Sequence, residues 1–222
     1  MEISQKYKHE LSVYLPLSFV GGFLEIYTYI NMSGLFANAQ TSNLVMLFNG
    51  LWSKNWSSAL YCIVPIILYI AGISVTETVP EKLNDSTIRW PKLCVLIEII
   101  CMSAVAFSPA SLPGKVAALP VFFLTAMQYN TFRSMQGQGV STVFCTNNLR
   151  QAVIHYWHYK KGNDKNQIVY MSVYIFVIAV FALGVTAGFF LSHHLGVKAI
   201  LVCDIVMLYV FLKLHFHGHK FM

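Results

Sequence analysis

The sequence predicts an all-α membrane protein: six transmembrane helices forming two inverted three-helix repeats, each with a short extra helix after its first span. Three observations predict it. Only 11% of the 222 residues are charged and 56% are hydrophobic, whereas a soluble domain carries roughly 25% charged residues. Several apolar runs approach the roughly 20 residues with which a helix crosses a bilayer, and no series of short alternating segments marks an outer-membrane barrel. Landmarks in the first half of the chain recur, in order, in the second.

The first span is placed at 12–35. Lys6 and Lys8 precede it, but the run is too long for the apolar part of a signal peptide and contains Glu25 and Asn31, so it is read as a retained span. The polar stretch FANAQTSNL (36–44) follows, then an amphipathic segment over 43–52, too short to cross. Spans two and three are placed at 56–79 and 92–109, and the fourth at 116–137. STVFCTNNL (141–149) repeats the polar theme ahead of a second short helix over 148–157. Spans five and six occupy 168–191 and 197–214. Gly21, Gly22, Pro65, Pro120, Gly184 and Gly188 are tolerated inside such helices when neighbours satisfy the backbone. Gly184 and Gly188 form a small-residue face for close helix packing. The whole chain, 1–222, is one membrane domain, with halves at about 12–109 and 116–214.

The repeat is carried by four landmarks. Leu15-Pro16-Leu17-Ser18-Phe19 matches Leu119-Pro120-Val121-Phe122-Phe123 at an offset of 104. Thr41-Ser42-Asn43-Leu44 matches Thr146-Asn147-Asn148-Leu149, and Trp52 matches Trp157, both at 105. Lys92 and Glu98 match Lys198 and Asp204 at 106. The second spans align only after a further shift of about two turns. Each half holds three spans, an odd number, so the second half enters the membrane from the opposite side. Inverted repeats of this kind are frequent in secondary transporters, whose sites lie near the midplane between the repeats.

Basic residues give the orientation. Lys6, Lys8, Lys82, Arg89, Lys92, Lys160, Lys161, Lys165, Lys213 and Lys220 fall on one side of a six-span arrangement, against Lys54, Lys115 and Lys198 on the other. Ten against three places both termini in the cytoplasm. The formal charge of +6 is scattered through these connections rather than gathered on one face, which argues against nucleic acid as a partner.

The candidate site follows from the polar stretches. Thr41 or Ser42, and Thr146 or Asn147, are suitable helix caps. If the short helices re-enter the membrane, their N-termini aim N–H groups and partial positive charge inward. Substrate-binding candidates are Glu25, Asn38, Gln40, Thr41, Asn43, Gln128, Arg133, Thr146 and Asn148. Glu25 sits in mid-span as a proton carrier, Arg133 as a substrate counter-charge, and Glu98 and Asp204 as helix-to-helix ties. Ionisable groups at such depth usually face the bundle interior and pair, so a structural ion pair of Glu25 or Glu98 with Arg133 is the alternative. The other alternative is that the short helices are interfacial and merely capped.

Cys62, Cys94, Cys101, Cys145 and Cys203 are dispersed and form no CxxC pair, as expected of small buried apolar residues. The histidines at 155, 158, 193, 194, 215, 217 and 219 form no convergent ligand set, so no metal is expected. The chain contains no HExxH, GxSxG or P-loop pattern, and neither an enzyme activity nor a cofactor is expected.

GGFLEIYTYINMSGLFANAQTSNLVML (21–47) together with QYNTFRSMQGQGVSTVFCTNNLRQA (128–152) resembles the YoaK-like family, bacterial multi-span inner-membrane proteins grouped as a domain of unknown function. Its pattern joins an acidic residue and an aromatic-rich turn to ANxQTGN, and in the second half joins Gln and FR to CTGNLR. This chain has Glu25 for the usual Asp, and Ser42 and Asn147 for the usual glycines. The resemblance spans essentially the whole chain. It implies a multi-pass protein of the bacterial inner membrane and supplies no substrate.

The function expected is a small secondary transporter or permease for a small polar or anionic solute, working singly or as a homodimer in the lipid bilayer. The alternative is a non-transporting membrane scaffold or signalling partner.

Overall fold

The computed structural model describes residues 5–31, 34–83, 89–109, 111–117 and 119–217. Residues 84–88 of the expected 80–91 loop and the tail carrying Lys220 lie outside the described residues. The elements are α1 (Gln5–Asn31), α2 (Gln40–Trp52), α3 (Trp56–Lys82), α4 (Arg89–Ala106), the single turn α5 (Gly114–Ala117) and α6 (Leu119–Thr131). After α6 come a two-strand hairpin, β1 (Ser134–Met135) and β2 (Gln138–Gly139), then α7 (Thr146–Gly162) and α8 (Lys165–Leu195). A 3-10 turn (Gly196–Ile200) leads into α9 (Leu201–His217).

The all-α reading holds. Among the described residues, three helical stretches are long and apolar enough to cross a membrane: Lys8–Asn31, Trp56–Lys82 and Lys165–Phe216, the last holding both α8 and α9. Helix α4 carries Arg89, Lys92 and Glu98 within 18 residues, and α6 is only 13 residues long. The third expected span is therefore set apart from these three by its charges and the fourth by its length.

Helix α1 runs through the centre. Leu17, Val20, Phe23, Leu24 and Tyr27 lie in the main core with residues of α4, α6, α8 and α9. The outer helices expose large apolar side chains instead: Ile67 and Ile70 on α3, Phe176 and Leu183 on α8, Ile205 and Leu208 on α9. Apolar area on this scale is poorly compatible with water and matches a lipid-facing surface.

The packing follows a pattern. Helix α1 packs on α8 and α9, α6 on α3 and α4, α2 on α3, α7 on α8, and α4 on α9. Exchange α1 with α6, α2 with α7, α3 with α8 and α4 with α9, and the same set of pairs returns. Two glycines show it at atomic scale. A Cβ on Gly184 would lie 2.0 Å from the Phe19 carbonyl oxygen, and one on Gly72 would lie 2.6 Å from that of Phe123. Phe19 and Phe123 are 104 residues apart, the offset of the sequence landmark. Close backbone crossings of this kind admit no side chain, and the expected packing role of Gly184 and Gly188 is realised against α1.

Several boundaries differ from expectation. Helix α1 begins at Gln5 and ends at Asn31, rather than covering 12–35. The fourth expected span ends at Thr131, not 137. A hairpin intervenes because Gln136 (φ 51°) and Gly137 (φ 73°) make a turn with two positive φ values, the geometry that suits two-residue hairpins. Glu10 of α1 holds it, accepting from the Gln136 backbone N–H at 3.0 Å, and Tyr14 donates to the Ser134 carbonyl. Both short helices start earlier and run longer than expected, at 13 and 17 residues. Helix α7 ends where Asn163 turns left-handed (φ 52°), a common C-terminal stop.

Candidate functional site

The polar stretches form two largely buried loops, each in contact with a helix of the other half. The first lies between α1 and α2. Thr28 Oγ1 accepts from the Ala37 N–H (3.1 Å), and the Ala37 carbonyl accepts from Thr125 Oγ1 of α6 (3.1 Å). Fully buried Asn38 donates its side-chain Nδ2 to the Gly21 carbonyl (3.0 Å), and its backbone N–H donates to Glu25 Oε2 (2.8 Å). Asn43, also fully buried, reaches back from α2 to donate to the Phe36 carbonyl (3.2 Å) and to Gln40 Oε1 (3.1 Å). Gln40 Nε2 donates in turn to the Ala37 carbonyl (3.3 Å).

The second loop, between the hairpin and α7, repeats the scheme. Asn148 reaches back seven residues, donating to the Ser141 carbonyl (2.6 Å) while accepting from the Ser141 N–H (3.0 Å). Buried Gln128 of α6 donates to Thr142 Oγ1 (3.0 Å) and to the Leu17 carbonyl of α1 (3.1 Å). The loop lies so close to α1 that a Cβ on Gly21 would meet the Thr142 carbonyl oxygen at 2.3 Å. The pair Gly21 and Thr142 therefore mirrors the pair Thr125 and Ala37, at offsets of 104 and 105.

The N-terminal ends of α2 and α7 meet at one cleft of about 400 Å³, lined by Thr41, Phe144, Thr146, Asn147 and Arg150. The caps differ from expectation: Ala39 and Cys145 occupy those positions and neither helix has a side-chain cap. Thr41, Ser42, Thr146 and Asn147 all lie inside the first turns. Ser42 and Asn147 adopt no positive φ, so glycine is not required at either place. In α2 the Gln40, Ser42 and Asn43 N–H groups donate to the Asn38 and Ala39 carbonyls, so what each helix start brings to the cleft is its first-turn side chains and the positive end of its dipole.

Of the expected site residues, Thr41 and Thr146 line the cleft. Asn38, Asn43, Gln128 and Asn148 are buried behind it, binding the loops. Gln40 is half-buried and braces the first loop. Glu25 is partly buried, bonded to the loop ahead of α2 and within electrostatic reach of Cys145 at the head of α7. Arg133 lies elsewhere. It follows the end of α6, is 68% exposed, and pairs at 3.6 Å with Glu77 of α3, so the alternative reading of an ion pair with Glu25 or Glu98 is not realised. The cation at the cleft is Arg150, which sequence reasoning passed over. Its signal was position: Arg150 is one helical turn after Thr146 and therefore shares its face.

Three features remain unbalanced. Among the described residues Glu25 has no cationic partner and Arg150 no anionic one. The side-chain oxygens Asn38 Oδ1 and Asn43 Oδ1 are buried with no hydrogen-bond donor, a condition that costs about 1–3 kcal/mol for each group. Asp204 does tie helices together, accepting from Ser103 Oγ of α4 (2.8 Å). Glu98 does not: it accepts from Cys94 of its own helix (3.2 Å). The α4–α6 tie is instead made by Trp90, whose indole N–H donates to Thr131 Oγ1 (2.9 Å). His155 stacks on Tyr174, with Nδ1 2.7 Å from Gln167 Oε1, and serves the α7–α8 contact.

The model of a protein family of unknown function, DUF1275, matches residues 13–213, nearly the whole chain, and the chain belongs to that family. No curated protein and no solved structure matches it.

Proposed function

We propose that this DUF1275 member is a small secondary transporter or permease of the inner membrane. It would carry a small polar or anionic solute by way of the cleft between the starts of α2 and α7, with six spans, both termini cytoplasmic and the two halves inverted. The finer likeness to YoaK-like proteins belongs to the same proposal. The observation that carries it is the meeting of two helix N-termini, one from each half, at a cleft holding Thr41, Thr146, Asn147 and Arg150, which has no anionic partner among the described residues. Helix N-termini with a guanidinium beside them suit an anionic group. Exchange symmetry of the packing supports the inverted repeat, because a site between such repeats is reached from either side by rocking one half on the other.

The scaffold reading draws on a different observation: Gln128 and Asn148 spend their amides on the protein itself. One experiment separates the two. Purified protein is screened against a library of small polar and anionic solutes by thermal shift, and the best hit is tested for uptake into proteoliposomes. Transport predicts saturable uptake that falls at least tenfold in Arg150→Ala with the melting midpoint unchanged, since Arg150 is exposed. A hit that stabilises the protein yet is never taken up, by wild type or variant, supports the scaffold.

A further inference from the structure

We infer that the loop of the first half, with Glu25, binds a small monovalent cation, an alkali ion or ammonium, through Glu25, Asn38 Oδ1 and Asn43 Oδ1. The inference rests on reading the cleft as part of a solute path, for which such a cation would be the coupling ion.

The amide orientations are fixed. Asn43 Nδ2 donates to two oxygens, of Phe36 and Gln40, and Asn38 Nδ2 donates to the Gly21 carbonyl. Turning either amide over would set oxygen against oxygen. The oxygens left over are therefore true acceptors, fully buried and without a donor. Glu25 sits against the same loop through the Asn38 N–H. Its carboxylate has no cationic partner among the described residues, although an ionisable group at that depth normally has one.

Comparison of the two loops shows that the asparagine acceptors are left free only in the first. Asn148 makes the same backward reach as Asn43, but its Oδ1 is taken by the Ser141 N–H. Asn43 has no such donor, and the second half has no acid equivalent to Glu25: positions 128 and 129 are Gln and Tyr. Oxygen-only donors select hard cations. One carboxylate and two neutral carbonyl oxygens balance a single positive charge, whereas calcium sites usually gather several carboxylates.

The test is thermal melting of the full chain in detergent. NaCl, KCl or NH4Cl is titrated against N-methylglucamine chloride at constant chloride. At least one of the three should raise the melting midpoint saturably. Glu25→Gln, which still accepts from the Asn38 N–H, should abolish the rise. Should that variant fold poorly, equilibrium dialysis of wild type with radioactive sodium or rubidium should show about one saturable site per chain. A wild type with no saturable response to any of the three ions, or the same response in Glu25→Gln, overturns the inference. Uptake is not read, so this failure would leave the transport proposal standing, and failed uptake would leave the ion site standing.

Discussion

Asn43 and Asn148 hold matching places in the two halves yet differ in what they hold. Asn148 closes both backbone groups of Ser141, and Asn43 only one carbonyl. Asn148→Ala would leave the Ser141 N–H and carbonyl buried without that partner, a loss of about 1–3 kcal/mol. The expected outcome is a lower melting midpoint for Asn148→Ala, with a smaller drop for Asn43→Ala. Melting curves of both variants in one detergent check it. Both asparagines tie their loops through Nδ2, with the Asn43 Oδ1 left over for the inferred cation, and the residues that face the cleft are their neighbours Thr41, Thr146 and Asn147. The recurring Thr-x-Asn-Leu motif was readable in the sequence because polar residues stand out in an apolar chain. Which of them point inward depends on where the helix begins. With α2 starting at Gln40, three residues before the expected 43, the face presented to the cleft shifts accordingly.

At the scale of the helices, the decisive contacts are backbone crossings. Helix α8 meets α1 at Gly184, and α3 meets α6 at Gly72. Gly184→Leu or Gly72→Leu would push paired helices apart; overpacking costs typically about 1–3 kcal/mol and sometimes more. Both variants should melt lower or fail to accumulate. Gly162→Ala, where nothing lies within 4 Å of the added Cβ, should melt like wild type. The glycine face was legible from spacing, and so were the helices themselves. The end of α6 was not. Phe132 and Met135 continue the apolar pattern past Thr131, and the hairpin there is set by the φ values at Gln136 and Gly137 and by Glu10, 126 residues away in sequence. A long-range tie of that kind leaves no local trace. It also moved Arg133 out of the bundle to Glu77 and left Arg150 as the cation beside the cleft.

At the scale of the molecule, sequence landmarks and packing follow the same exchange of halves, as the proposed repeat requires. An odd number of spans per half would set α2 and α7 entering from opposite faces and meeting tip to tip. A tip-to-tip meeting of this sort has a purpose in transport, where the same cleft opens first to one side and then to the other. The central claim is therefore that the cleft is reachable from both sides. The most direct measurement is thiol labelling of the Thr41→Cys variant, with Cys101 and Cys145, the partly exposed cysteines, replaced by serine. A membrane-impermeant methanethiosulfonate reagent is applied to right-side-out and to inside-out vesicles. Reaction of the introduced thiol in both vesicle types is the result predicted; reaction in one type alone would contradict it.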